Sequence, residues 1–129
     1  MTKEELKLRT KQFALQIIKL VDELPNTKAG KTIGNQIIRS GTSVADNYRS
    51  ACRARSNTDF ISKITIVEEE SDETLFWLEL LTDAHLLKKE RVLKLIKEAD
   101  ELTAIFTASG KTAKQKNFLQ NRDSQNPKP

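Results

Sequence analysis

Five acids crowd one short stretch of this chain, Glu68, Glu69, Glu70, Asp72 and Glu73, and carboxylates at that density are numerous enough to ligate a cation. Di-metal carboxylate bundles, however, pair such acids with Glu-x-x-His motifs on two helices. The only histidine here, His85, has Thr82 three residues before it, so no metal is expected. Asp83 and His85 form no dyad either, because helical residues two apart point in different directions. Cys52 lies in an apolar stripe beside Arg53. A neighbouring cation lowers a thiol's pKa, yet a buried structural thiol is the commoner arrangement, and no base accompanies it. No nucleophile–base pair emerges, so neither catalysis nor a cofactor is expected.

Arg39, Ser43 and Asn47 are the next polar set, spaced by four along one helical face. Residues 27–57 carry six basic and one acidic side chain, whereas residues 58–87 carry one basic and eight acidic. Two helical segments of opposite charge joined by a short turn should fold back as an antiparallel hairpin. If the turn centres on Ser56, Arg39 comes near Glu73, and Ser43 near Glu70. Such a set could hold a small molecule or a metal. Buried polar groups on facing helices more often form a paired network that sets packing register, and Arg39, Ser43, Asn47, Glu70 and Glu73 are expected to be that network.

The elements that must position these residues are helical. The chain of 129 residues is 37% hydrophobic and 31% charged, with only four Gly and three Pro, too few turn formers for an all-β fold. Thr2 with Glu5 reads as a capping box. Leu6, Phe13, Ile17, Leu20 and Leu24 then recur at helical spacing until Pro25. A second helix is expected from Thr27 or Thr32 to Ala54, with Ile33, Ile37, Val44 and Tyr48 inward. Its middle, Ser40-Gly41-Thr42-Ser43, has poor helix propensity and predicts a kink or a close helix approach. A phosphate loop would need a preceding strand and a Gly-Lys-Ser/Thr ending, which are missing.

Ser56 to Asp59 supply a cap and a first-turn acid for a third helix. From Leu75 to Leu81 that helix becomes apolar nearly all round, Leu-Phe-Trp-Leu-Glu-Leu-Leu. A small bundle covers only one side of such a segment. Phe76, Trp77, Leu80 and Leu81 are therefore expected at an interface with another chain. A fourth helix follows Lys88-Lys89, carries Val92, Leu95, Ala99, Leu102 and Phe106, and is expected to stop near Ser109-Gly110. Residues 1–110 would be the folded domain and 111–129 a basic, disordered tail.

Charge limits the partners. Residues 110–129 hold five basic residues and one acidic, which equals the whole net charge of +4, and residues 1–109 carry 17 of each sign. Lys111, Lys114 and Lys116 are thus candidates for contact with RNA or DNA, as are Arg49, Arg53 and Arg55. The arginines have equally suitable partners in the acids of the third helix, in the same or a neighbouring subunit. Aromatic residues suited to base stacking are scarce. A lone Cys, no signal region and no membrane-length apolar run predict a cytoplasmic protein without membrane contact.

Pro25, Gln36-Ile37-Ile38-Arg39-Ser40, Ser43-Val44, Asn47, Arg55-Ser56, Asp59-Phe60 and Glu73 closely resemble the four-helix bundle protein family of ribosomal RNA intervening sequences, over roughly residues 6 to 108. The resemblance implies an all-α, up-down-up-down four-helix bundle and, with the related accessory proteins of diversity-generating retroelements, a barrel-shaped homopentamer. Nucleic acid binding is suggested for the retroelement relatives, and most of the family has no established biochemical activity. This chain departs from the common pattern at Tyr48-Arg49-Ser50-Ala51, where an Ile-Ala-Glu-Gly run is usual, and at Glu69-Glu70, where a Gly-Ser pair is. Those changes suggest a sub-branch in which Arg49 and Arg53 meet acids. The expected function is a non-enzymatic homo-oligomeric scaffold or adaptor for an unknown protein partner, the alternative being an RNA- or DNA-binding protein.

Overall fold

The computed structural model describes residues 1–125 and contains four helices, α1 (Lys3–Asp22), α2 (Lys28–Cys52), α3 (Asn57–Asp83) and α4 (Lys89–Gln125). Among the described residues there is no strand, and no helix is long and apolar enough to cross a membrane. Each of the first three helices starts where a hydroxyl can replace a missing backbone acceptor. Thr2 Oγ1 accepts from Glu5 N, Thr27 Oγ1 from Gly30 N and Ser56 Oγ from Asp59 N, all near 3 Å. The α3 cap is strengthened by Asp59, which accepts from Arg55 N at 3.1 Å and from Lys63 Nζ at 2.9 Å. These two donors hold its carboxyl below the usual range, the Lys63 bond being the larger cause.

The backbones approach closely between α1 and α2, α2 and α3, and α3 and α4, and more sparingly between α4 and α1; across the diagonal from α2 to α4 it is side chains that meet, the Tyr48 and Phe106 rings with centroids 5.7 Å apart. The four helices pack together as a bundle in which consecutive helices adjoin. Its core takes Phe13, Ile17 and Leu20 from α1, Ile37, Val44 and Tyr48 from α2, Ile64, Val67, Leu78 and Leu81 from α3, and Val92, Leu102 and Phe106 from α4. Fully burying a side chain of this size stabilises the fold by about 1.5–3 kcal/mol. Burial pushes the Tyr48 hydroxyl well above its ordinary value, with the Cys52 thiol beside it adding to the effect.

Of the two readings of Ser40-Gly41-Thr42-Ser43, close approach is the one observed. The α2 helix is unbroken there, and Gly41 lies close against α1, as Gly34 does against the end of α1 and the turn after it. A Cβ at Gly34 would lie 3.1 Å from Leu24 Cδ1, and one at Gly41 would lie 2.9 Å from Ile17. The fourth helix corrects the expected tail. It passes through Gly110 and runs to Gln125, so residues 111–125 are helical. Ala113 is buried, and Asn57 Nδ2 donates to its carbonyl at 2.7 Å, while Asn117 Nδ2 donates to Thr58 Oγ1 at 3.2 Å. Packing and side-chain anchoring beyond Gly110 override the glycine's tendency to end the helix. Residues 126–129 of the expected tail lie outside the described residues.

Candidate functional site

Packing of α2 on α3 sets Arg39 beside Glu73 and also beside Glu70, which was expected next to Ser43 instead. Arg39 Nη1 lies 3.3 Å from Glu70 Oε2 and its Nη2 bonds Glu73, while Gln36 Oε1 accepts from Arg39 Nε at 3.3 Å. The cluster differs from the expected buried network in two respects. Arg39 is 47% exposed, so these are surface ion pairs, worth about 0–1 kcal/mol each. Ser43 and Asn47 stand apart from it, with Asn47 Nδ2 donating to the Ser43 carbonyl of its own helix at 2.8 Å.

The polar contacts that cross the interior lie one step away, between hydroxyls. Thr74 Oγ1 donates to Ser40 Oγ at 2.9 Å between α3 and α2, and Ser71 Oγ pairs with Thr103 Oγ1 at 2.8 Å between α3 and α4. Ser40, Ser71 and Thr74 are fully buried. Each also has a backbone carbonyl within reach: Ser40 that of Gln36, Thr74 that of Glu70 and Ser71 that of Ala99. Along the sequence Ser40 stands out as a poor helix former and as part of the run that resembles the family, not as an interior hydrogen-bonding partner.

On α3 the apolar segment divides. Leu78 and Leu81 are buried in the protomer's own core, so Leu81 cannot serve a second chain as expected. Trp77 and Leu80 are half-buried, and Phe76 is 54% exposed. The Phe76 and Trp77 rings meet edge to face with centroids 5.0 Å apart, and the buried Trp77 Nε1 has no hydrogen-bond partner. Ile66 adds a second exposed apolar side chain nearly three helical turns before Phe76 on the same helix.

The basic candidates occupy three places. Arg49 and Arg53 border a groove of about 510 Å³ between α1 and α2, together with Lys7, Leu8, Lys11 and Asp46. They do not meet the acids of α3 in the same chain, because their helix turns that edge toward α1. Arg55 is exposed in the turn before α3, and Lys111, Lys114 and Lys116 are exposed on α4. Among the described residues none of these six enters an ion pair. Cys52 is half-buried rather than sealed in the core, and it edges a trench of about 800 Å³ with Phe60, Ile105, Ala108 and Ala113. Among the described residues no three His, Cys, Asp or Glu side chains converge as a metal site.

Comparison with known proteins is consistent with these features. Residues 4–108 match the family described as 23S rRNA-intervening sequence protein. No curated protein matches the chain. Among solved structures it is similar to a protein of unknown function from the S23 ribosomal protein family of Bacteroides thetaiotaomicron, with 33% identity and a TM-score of 0.76, over 81% of this chain and 97% of that one. The chain belongs to the 23S rRNA-intervening sequence protein family.

Proposed function

We propose that this protein is a non-enzymatic, homo-oligomeric helical scaffold or adaptor that works in the cytoplasm, built on an antiparallel up-down-up-down bundle. The topology is supported by the order of the cross-helix pairs. Arg9 bonds Glu98 and Glu101 while Glu23 bonds Arg91, and Asn57 bonds Ala113 while Ser71 bonds Thr103, so numbers rise on one helix as they fall on its neighbour.

The observation that carries the assembly is the exposed Phe76 ring on α3, packed against a half-buried Trp77. A large aromatic left half in water beside a second one is the composition expected at the centre of a protein interface. The resemblance to bundle proteins of this family supplies the expected number of five. Light scattering at micromolar concentration tests the reading. A mass five times that of one chain is expected, and the mass of a single chain would overturn it.

A second reading, contact with RNA or DNA, is favoured by the unpaired Arg49 and Arg53 beside Lys7 and Lys11 in one groove. The lysines of α4 would add to it in every subunit of an assembly. Retention of a labelled RNA that falls steeply with salt, as counterion release requires, would support it. No retention at low salt would remove it.

A further inference from the structure

Two outward faces of the bundle are complementary to one another and sit on helices, α1 and α3, that do not adjoin. On α1, Leu8, Leu15 and Ile18 are exposed, at 56%, 50% and 40%. The spacing of 7 and 3 residues places them on one stripe of the helix. Lys11 and Lys19 flank that stripe with Asp22, and the groove beside it adds Lys7, Arg49 and Arg53 against Glu4 and Asp46, so the face keeps an excess of five basic over three acidic side chains. On α3, Ile66 and Phe76 are exposed with Leu80 half-buried. The acids around them, Glu69, Asp72, Glu79 and Asp83, are exposed and have no basic residue among them. None of the four acids, nor Lys11, Lys19, Arg49 or Arg53, takes part in an ion pair among the described residues.

The two stripes also match in length. Leu8 and Ile18 are ten residues apart, as are Ile66 and Phe76, which on a helix is about 15 Å and the same rotation about the axis in each case. An α3 face pairing with its own copy would bring like carboxylates together, and an α1 face pairing with its own copy would bring ammonium and guanidinium groups together. Both are penalised by the same like-charge repulsion that a cross pairing converts to attraction.

We infer that the basic and apolar α1–α2 face of one copy packs on the acidic and apolar outer face of α3 of the next, in a heterologous, head-to-tail contact. The inference rests on the homo-oligomer reading and adds to it which surfaces meet. It also assigns Arg49 and Arg53 their acidic partners in the neighbouring subunit. Because α1 and α3 do not adjoin, each copy keeps one free face of each kind after pairing once, and the assembly grows until a ring closes. A two-fold dimer is excluded by this arrangement.

Blocking one face at a time tests it. Leu15→Glu puts a charge on the α1 stripe and Phe76→Glu one on the α3 face, both at exposed positions whose folding circular dichroism can verify. Light scattering should give the assembly mass for the parent and a single-chain mass for each variant alone. An equimolar mixture should give a one-to-one pair of twice that mass, since the intact α3 face of the first variant meets the intact α1 face of the second. Lys11→Glu with Lys19→Glu, which leaves every apolar side chain in place, should weaken parent assembly at least tenfold in concentration. Failure of Leu15→Glu to disassemble while Phe76→Glu does, or a mixture that stays single-chain, overturns the heterologous contact and leaves the oligomer reading standing. A parent that is itself a single chain removes both.

Discussion

Gly41 of α2 rests against the fully buried side chain of Ile17 of α1, so closely that a Cβ at position 41 would lie 2.9 Å from both Cγ1 and Cγ2 of Ile17. Contacts that short force a shift in a packed core, at a cost of about 1–3 kcal/mol. Replacing a mid-helix glycine by alanine recovers only about 1 kcal/mol of propensity. Gly41→Ala should therefore lower stability by about 1 kcal/mol net. Gly110→Ala should do the opposite, because its Cβ would meet Ile64 Cγ2 at an ordinary 3.6 Å, and a gain of about 0.5–1 kcal/mol is expected. Urea unfolding of the two variants would show opposite shifts in midpoint; equal signs would contradict the packing described.

His85 ends α3 with φ of 56°. Leu86 N donates to Leu81 O at 3.0 Å and His85 N to Thr82 O at 3.1 Å, the paired bonds of a left-handed helix cap. A side chain at that φ costs about 1 kcal/mol that glycine avoids. His85→Gly should raise the melting temperature, while His85→Ala should not. A loss of stability in His85→Gly would mean that the imidazole does something the turn alone does not explain.

Thr74→Val removes the hydroxyl that reaches Ser40 and should cost about 1 kcal/mol, whereas Asn47→Ala should change stability by roughly half that or less. The Asn47 amide bonds only the Ser43 carbonyl of its own helix. Combining Thr74→Val with Ser40→Ala should cost less than the sum of the two single changes, since the pair shares one bond. Additive losses would show that the hydroxyls are uncoupled.

Arg91 binds Glu23 through Nε at 2.8 Å to Oε1 and 2.7 Å to Oε2, tying α4 to the end of α1. That hydrogen bonding holds the Glu23 carboxyl below its ordinary value of 4.5 and raises the Arg91 guanidinium. A carboxyl with a lowered folded pKa contributes stability above the unfolded value and loses it as pH falls through the folded one. Glu23→Gln should therefore lower the melting temperature slightly near neutral pH. The gap to the parent should close as pH drops below 4.5; a gap that persists in acid would point to packing instead of charge.

Cutting the chain after Gly110 should destabilise the bundle, whereas cutting it after Phe118 should leave the melting temperature nearly unchanged. The shorter form loses the buried Ala113 and leaves Asn57 without its partners at 113 and 117. An unpaired half-buried amide costs about 1–3 kcal/mol. Equal melting temperatures for the two truncations would mean that residues 111–118 do not hold the end of α3.

Much of this architecture was legible along the chain because helix signals are local. Hydroxyl caps at Thr2 and Ser56, the stop at Pro25 and the apolar periodicity of α1 and α2 each depend on neighbours within a few residues; α1 and α3 begin where those caps stand, and α2 begins after Thr27, one of the two starts the sequence left open. The opposed charges of residues 27–57 and 58–87 likewise pointed to Arg39 beside Glu73, while its second partner, Glu70, was expected beside Ser43. What the sequence alone could not decide was depth, because an apolar or polar residue shows its type but not what covers it. Leu81 looked like its neighbour Leu80 and is fully buried; Ser43 and Asn47 looked like interior partners of Arg39, and the interior instead selected Ser40 and Thr74. Gly110 reads as a stop in isolation, and only the burial of Ala113 against the start of α3 carries the helix through it. Local propensities of about 1 kcal/mol set where helices start, while burial and pairing across the bundle, larger when summed, decided where α4 ends and which side chains face inward.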